Sequence, residues 1–321
     1  MNKNIDVVAL GELLIDFTSA GKSDGDNFLF EANPGGAPSN VLAMLKKLGN
    51  TTAFIGKVGD DIFGHMLSKK GSEQGIDMSG LMFDGESRTT LAFVNNDSSG
   101  DRSFSFYRNP GADTRLSTED VRIKKDLIER AKVFHFGSLS MTDSPAKEAT
   151  EYAVLLSKEA GNIISFDPNY RPPLWKKETD AFSAMWYGVR NCNVLKISDD
   201  EIYFLTGEKD IDIGVEYIRK ENPKMMVFAT MGAEGSKAYY KDIKVFSKGI
   251  KSEKTIETTG AGDTFCGCIL HFILKYGLDK MDENAIIESL RFANAAASIV
   301  TTRKGAMSVM PTEREITEYL C

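Results

Sequence analysis

Late in the 321-residue chain, "TIETTGAGDTFCGCIL" (255–270) sets three small residues, Gly260, Ala261 and Gly262, directly before a carboxylate, Asp263, and then turns apolar. Small residues let the backbone approach a ligand closely. The run "TFCGCILHFILKY" that follows Asp263 reads as a helix whose unsatisfied N–H groups face back into the turn, which makes an anion cradle. Two familiar phosphate motifs do not fit it. A G-x-G-x-x-G fingerprint starting at Gly260 needs glycine where Phe265 stands, and the P-loop spacing from Gly262 to Gly267 is followed by Cys268 rather than lysine.

Asp263 admits two readings. It is a helix cap suited to the positive end of the dipole, or it is a base that takes a proton from an attacking hydroxyl while the amides hold an anionic group. Magnitudes constrain the second reading. A helix N-terminus contributes about 0.3–1 kcal/mol, up to about 2 when partly buried, whereas enzymes lower barriers by roughly 8 kcal/mol or more. Holding nucleophile and phosphoryl group in line supplies about 7–11 kcal/mol, and a divalent cation offsets nucleotide charge. The chemistry indicated is phosphoryl transfer to an alcohol.

Short apolar runs recur at Ile5–Leu10, Ala53–Val58, Val133–Gly137, Ile163–Phe166, Val194–Ile197 and Met226–Thr230, and helical patterns such as Pro38–Leu48 lie between most of them. That alternation predicts an α/β fold with a mostly parallel sheet flanked by helices. Two stretches break the rhythm: residues 11–31 lack helical periodicity, and 89–94 and 102–108 flank the turn-forming "NNDSSGD", a hairpin signature. We expect a single domain, 1–321, with a small β lid formed by about 11–33 and 88–113; no linker or internal repeat divides it.

Composition narrows the class. A hydrophobic content of 42% supports a sizeable core, and 39 Lys+Arg against 46 Asp+Glu, a net charge of −7, argues against a nucleic-acid partner. The four cysteines, Cys192, Cys266, Cys268 and Cys321, lack metal-site spacing and read as reduced thiols. With no apolar run of membrane-spanning length and no signal peptide, the expectation is a cytoplasmic protein with no membrane partner.

"TTGAGDTF" (258–265) and "PGGAPSNVLAMLKKLG" (34–49) resemble the two signatures of the PfkB, or ribokinase-like, family of carbohydrate kinases, in family order, and the resemblance runs from about Val8 to Glu315. It implies a ribokinase-like three-layer fold with a β lid over the sugar. It also implies ATP and Mg²⁺ as cofactors, Asp263 as the base, and the backbone of Gly260, Ala261 and Gly262 as the stabiliser of the transferring charge. By the same resemblance, Asp16 and Asn40 beside Gly35 and Gly36 bind sugar hydroxyls. A polar residue in a helix's first turn and a strand-end carboxylate are the plain alternatives for Asn40 and Asp16.

"KISDDEIYFLTG" (196–207) is similar to a segment that organises magnesium and phosphate through N-x-x-E, here with Ser198 in the asparagine position and Glu201 as the glutamate. A solvated helix start is the alternative. Lys196, Glu201, Thr230, Gly232 and Gly235 are the expected nucleotide-binding residues, the last three in "TMGAEGSKAYY", which reads equally as a β-turn. A K⁺ site is implied at Glu257, where the family usually has aspartate, with Arg303, Gly305 and Ser308 of "TTRKGAMS".

"FSFYRNPGAD" (104–113) and "DPNYRPPLW" (167–175) resemble the fructokinase branch, so fructose converted to fructose 6-phosphate is the expected reaction. Phe104 and Phe106 read as the apolar face of a lid strand. Arg108 and Arg171 either flank the sugar or its product phosphate, or sit on the surface. 2-Keto-3-deoxygluconate is the alternative substrate, and a non-catalytic sugar sensor on the same fold is the alternative of another class. His65, His135 and His271 read as structural. The lid edge offers a surface for pairing two copies as a homodimer.

Overall fold

The computed structural model describes residues 3–96 and 102–321; the tip of the expected hairpin, 97–101, and the side chain of Phe104 lie outside what is described. The strands are β1 (Ile5–Leu10), β2 (Leu14–Lys22), β3 (Phe28–Gly35), β4 (Thr52–Gly59), β5 (Asp77–Asp84), β6 (Leu91–Asn96), β7 (Arg102–Tyr107), β8 (Ala131–Gly137), β9 (Ile163–Asp167), β10 (Val194–Ser198), β11 (Met226–Thr230), β12 (Gly235–Tyr240) and β13 (Ile243–Lys248).

One sheet runs β13-β12-β11-β10-β9-β8-β1-β4-β5, parallel except for β12, which is antiparallel to both its neighbours. Its inner strands carry apolar residues on both faces because helices cover both: Val7 and Phe54 pack into one core, and Val8, Phe134 and Phe166 into the other. The edge strands β5 and β13 escaped the sequence pass, since each has a mixed, half-exposed pattern rather than an apolar run.

Chain order reverses between β1 and β8, because β4 and β5 build outward on one side and β8 to β11 on the other. Loops leaving the carboxyl ends on either side of such a reversal diverge and leave a crevice. The loops after β1, β8 and β9 and the end of β10 therefore face one opening.

The second sheet, β3-β2-β6-β7, carries aromatics on one face, where Phe17 and Phe93 stack at 4.9 Å and Phe93 meets Tyr107 at 5.3 Å. Its root is a buried polar knot. Thr90, just before β6, donates to Asp113 Oδ1 at 2.5 Å. Arg108, just after β7, donates from Nε to Asp113 Oδ2 at 2.7 Å, from Nη1 to Thr142 Oγ1 at 2.8 Å and from Nη2 to the Leu139 carbonyl at 2.8 Å. Arg108 is therefore not a surface arginine: it anchors the lid to the loop after β8 and does not line the cavity described below.

Both side chains of this ion pair are buried, at 5% exposure for Arg108 and 2% for Asp113. Arg108→Met strands the Asp113 charge, so a loss of about 3–5 kcal/mol in urea unfolding is expected. A stable variant with only a raised sugar KM would return Arg108 to the substrate.

Candidate active site

Asp263 begins the helix Ala261–Tyr276, whose N-cap, Gly260, is left-handed at φ 77° and offers no side-chain cap. The Ala261 N–H bonds to the Thr258 carbonyl at 3.3 Å, a long contact that a bound phosphate would displace. Asp263 does not cap its own helix. Its Oδ2 accepts from Asn40 Nδ2 at 2.8 Å, across 223 residues of sequence. Asn40 lies in the first turn of the helix Ala37–Lys47.

These two helices meet closely because of Gly267. A Cβ there would lie 2.8 Å from Met44 Cβ and 3.0 Å from the Val41 carbonyl. The glycine whose spacing mimics a P-loop is therefore a helix contact. Gly35 and Gly36 also serve close approach: side chains there would collide with the Asp16 carboxylate and the Glu12 carbonyl, and Gly36 has φ 120°.

The opening outside β1, β8, β9 and β10 is a cavity of about 340 Å³. Asp16, Gly36, Asn40, Arg171, Lys196, Glu201, Gly260, Gly262 and Asp263, all singled out from sequence, line it. So do Glu12, Leu139 and Asn169, which sequence reasoning missed.

Glu12 sits two residues past β1 and is 4% exposed, with Oε1 accepting the Ala37 N–H at 3.0 Å. Burial pushes its pKa up to about 7. Asp16 is also pushed up to about 7, by burial and then by the Glu257 carboxylate, against the pull of Arg171. Burial raises Asp263 as well, opposed by the Asn40 bond and by Lys196 and Arg171. The cavity is rich in carboxylates that ionise reluctantly.

Lys196, on β10, pairs with Asp167 of the neighbouring β9 at 3.1 Å. A Cβ on Gly262 would lie 3.1 Å from its Nζ, so the ammonium lies against the floor of the glycine turn. Burial opposes its charge, but Asp167, Glu201 and Asp263 around it raise its pKa above the ordinary lysine value. Asp167 was quoted within "DPNYR" without a role; only strand order brings it to Lys196.

Glu201 is held by backbone. One oxygen accepts from Tyr170 N and the other from Ser198 N, each at 2.8 Å, in a reciprocal cap of the helix Asp199–Thr206. Among the described residues, no group of three or more His, Cys, Asp or Glu converges as a metal cluster. Glu201 lies in the cavity lining, and its carboxylate is the kind of hard oxygen donor that suits a divalent cation such as magnesium.

Beyond the glycine turn lies a second cavity of about 480 Å³, sharing Thr258 and lined by Gly232, Ile250, Ala261, Ala297 and others. Its lining is largely apolar, as a planar base requires. Thr230 ends β11 in register with Ser198, while Gly235 closes β12 against the Ser247 carbonyl and lines neither cavity. Glu257 Oε2 accepts the Gly305 N–H at 3.2 Å, so the longer side chain does reach the 301–308 loop. Arg303 donates to the Val309 carbonyl and pairs with Glu315, so its guanidinium is engaged within the C-terminal region, and Ser308 is exposed.

None of the three histidines lines the sugar-side cavity. His135 bonds to Ser165 with its pKa pushed down to about 3 by burial and by Lys196, His271 contacts Asn50, and His65 stands exposed beside Asp60.

The pfkB family carbohydrate kinase model matches residues 4–313. The chain belongs to this family. A relative from Zea mays, Fructokinase-1, is 40% identical over 98% of this chain and 97% of its own. Among solved structures, a fructokinase from Xylella fastidiosa with bound ATP superposes at TM-score 0.88 and 30% identity, covering 100% of this chain and 98% of that one. A double mutant of the Vibrio cholerae O395 fructokinase, bound to fructose, ADP and potassium ion, matches at TM-score 0.88 and 29% identity with 100% of both chains covered. The shared fold is thus ribokinase-like over the whole length.

The raised acids make a pH prediction. Glu12 rises from 4.5 to about 7 on folding, so the stability from its protonated form is full below pH 4.5 and lost as pH rises through about 7. Urea unfolding of the ligand-free protein from pH 5 to 8 should lose up to about 3 kcal/mol through this group, and Glu12→Gln should remove that share. An unchanged slope in Glu12→Gln would refute the assignment.

Proposed function

We propose that this kinase transfers the γ-phosphoryl group of ATP to the terminal primary hydroxyl of fructose, giving fructose 6-phosphate. The observation that carries the reading is the Asn40–Asp263 bond at the mouth of the glycine turn. It occupies one carboxylate oxygen and leaves the other for a hydroxyl. Asp263 takes the hydroxyl proton as that oxygen forms its bond to the γ-phosphorus, the bond from that phosphorus to the β–γ bridging oxygen breaks, and ADP departs. Gly260, Ala261 and Gly262 receive the charge of the transferring group, with the Lys196 ammonium beneath them.

Asp16, Asn40 and Arg171 supply complementary donors and acceptors to a polyol, with Gly35 and Gly36 bringing the backbone close. The nucleotide base lies in the apolar cavity past Gly232, with Thr230 at the end of the nearby strand β11. Bound magnesium would offset the phosphate charge during transfer. A potassium ion, on Glu257 and carbonyls of the 301–308 loop, would polarise the glycine turn from behind.

Charge favours fructose over 2-keto-3-deoxygluconate. Four carboxylates, those of Glu12, Asp16, Glu201 and Asp263, line the cavity against the cations Arg171 and Lys196, and Lys196 is already paired. With Lys196 already paired to Asp167, little free positive charge remains there for a substrate carboxylate, and a neutral sugar needs none. Phe28 at 72%, Phe30 at 47% and Tyr107 at 66% exposure leave an apolar patch on the lid that suits pairing with a second copy. Unpaired cysteines suit a reducing, cytoplasmic setting, and no helix among the described residues is long and apolar enough to cross a membrane.

A coupled ADP-release assay tests the reading. Fructose should turn over far faster than 2-keto-3-deoxygluconate, and Asp263→Asn should lower kcat roughly 10²- to 10⁴-fold with little change in the KM for ATP. Binding of sugar without turnover across a broad panel would favour the sensor, and near-normal turnover in a folded Asp263→Asn would remove the base.

A further inference from the structure

Glu12 has no role in the reaction as derived so far, yet its surroundings are specific. The helix Ala37–Lys47 starts at Gly36, which brings no side-chain cap, so the N–H groups of the first turn depend on an acceptor from elsewhere. Glu12 supplies it from the loop after β1, through the 3.0 Å bond from the Ala37 N–H. The contact is locked from the other side as well, since Gly36 packs against the Glu12 carbonyl so closely that no side chain fits. One turn on, Asn40 makes the first helical bond back to the Gly36 carbonyl at 3.0 Å, and its amide holds Asp263. The oxygen of that amide, Asn40 Oδ1, is buried without a protein partner, so the side chain has a single protein bond fixing its rotation, the one from Nδ2 to Asp263.

Resting on the reading of Asp263 as the base, we propose that Glu12 is a positioning residue for catalysis: by gripping the Ala37 N–H it fixes the turn that carries Asn40, and through Asn40 it aims the Asp263 carboxylate at the acceptor hydroxyl. The groups around this relay are few. Arg108 and Asp113 face Glu12 from the lid root. Lys196 and Arg171 face Asp263 from the β10 end and the loop after β9, and Asp16 and Asp167 lie close enough to interact with it. A side-chain N–H donated to a carboxylate favours its ionised form. Loosening Glu12 therefore weakens the donor on Asp263 and makes that base harder to ionise, without touching the nucleotide.

The test is a double-mutant cycle between Glu12→Leu, which keeps apolar bulk but no acceptor, and Asn40→Ala, read by steady-state ADP release with fructose. Each single variant should lose on the order of tenfold to a hundredfold in kcat, the scale of a misplacement of about 1 Å. The KM for ATP should stay put, and the acid limb of the kcat profile should move to higher pH in both. The double variant should fall within about threefold of Asn40→Ala alone, because the two residues act through one contact. Glu12→Gln keeps an oxygen for the Ala37 N–H and should rescue most of the loss, with the acid limb back near that of the wild type.

Multiplying effects, an acid limb that stays in place, or a change confined to the sugar KM would overturn the proposal. Should Glu12→Leu not fold, Glu12→Gln carries the test: a fall of more than about tenfold in its kcat contradicts a role that needs only an acceptor, and a retained kcat and acid limb support it. Asp263→Asn separates this inference from the one beneath it. If that variant keeps its turnover, the base assignment fails whatever Glu12 does; if it loses turnover while the cycle is additive, only the role of Glu12 fails.

Discussion

The hydrogen bond from Asn40 to Asp263 is the constraint on which the site depends. It joins the first turns of two helices, and each turn is set for a different local reason. Gly260 turns the chain into the Asp263 helix in a conformation few other residues adopt, and Gly36 and Glu12 together start the Asn40 helix. Gly267 then allows the helices to touch. A buried carboxylate without a donor would take up a proton and lose its value as a base. The amide keeps it available while leaving it desolvated, which is the condition under which a weak base becomes an effective one.

Around that bond the electrostatics are uneven, with several acids and two cations. Lys196 is held charged by Asp167 on the adjacent strand and lies under the glycine turn, so positive charge concentrates where phosphate oxygens arrive. Asp16 and Glu12 instead have pKa values near 7, on the side where hydroxyls arrive. On the proposed reading, this polarity across about 340 Å³ would give the hydroxyl and phosphoryl groups separate ends of the cavity. Arg108 belongs to neither end; its buried pair with Asp113 fixes how the lid leaves the main sheet.

The inner parallel strands were legible from their apolar runs, because burial on both faces leaves that mark in sequence. The edge strands β5 and β13 were not, since half-exposed strands carry a mixed pattern that turns and loops share. In the site, Asp263 and the glycine turn stood out through local spacing alone, and Asp16, Asn40 and Glu201 through motif resemblance. Glu12, four residues before Asp16, and Asp167, in "DPNYRPPLW", carry no such local mark. Their partners, Ala37 N and Lys196, are brought to them by topology, which no spacing in the chain encodes. The buried pairing of Arg108 was illegible for the same reason: an arginine that binds a buried aspartate and one on the surface look alike until the fold is known.

The most direct measurement is a crystal structure with fructose, ADP and aluminium fluoride as a mimic of the transferring phosphoryl group. The terminal hydroxyl of fructose should lie within about 3 Å of the Asp263 oxygen that Asn40 leaves free, in line with the mimic, whose fluorines should rest on the N–H groups of the glycine turn. A hydroxyl aimed at another group, with Asp263 turned from the sugar and still bound to Asn40, would contradict the account.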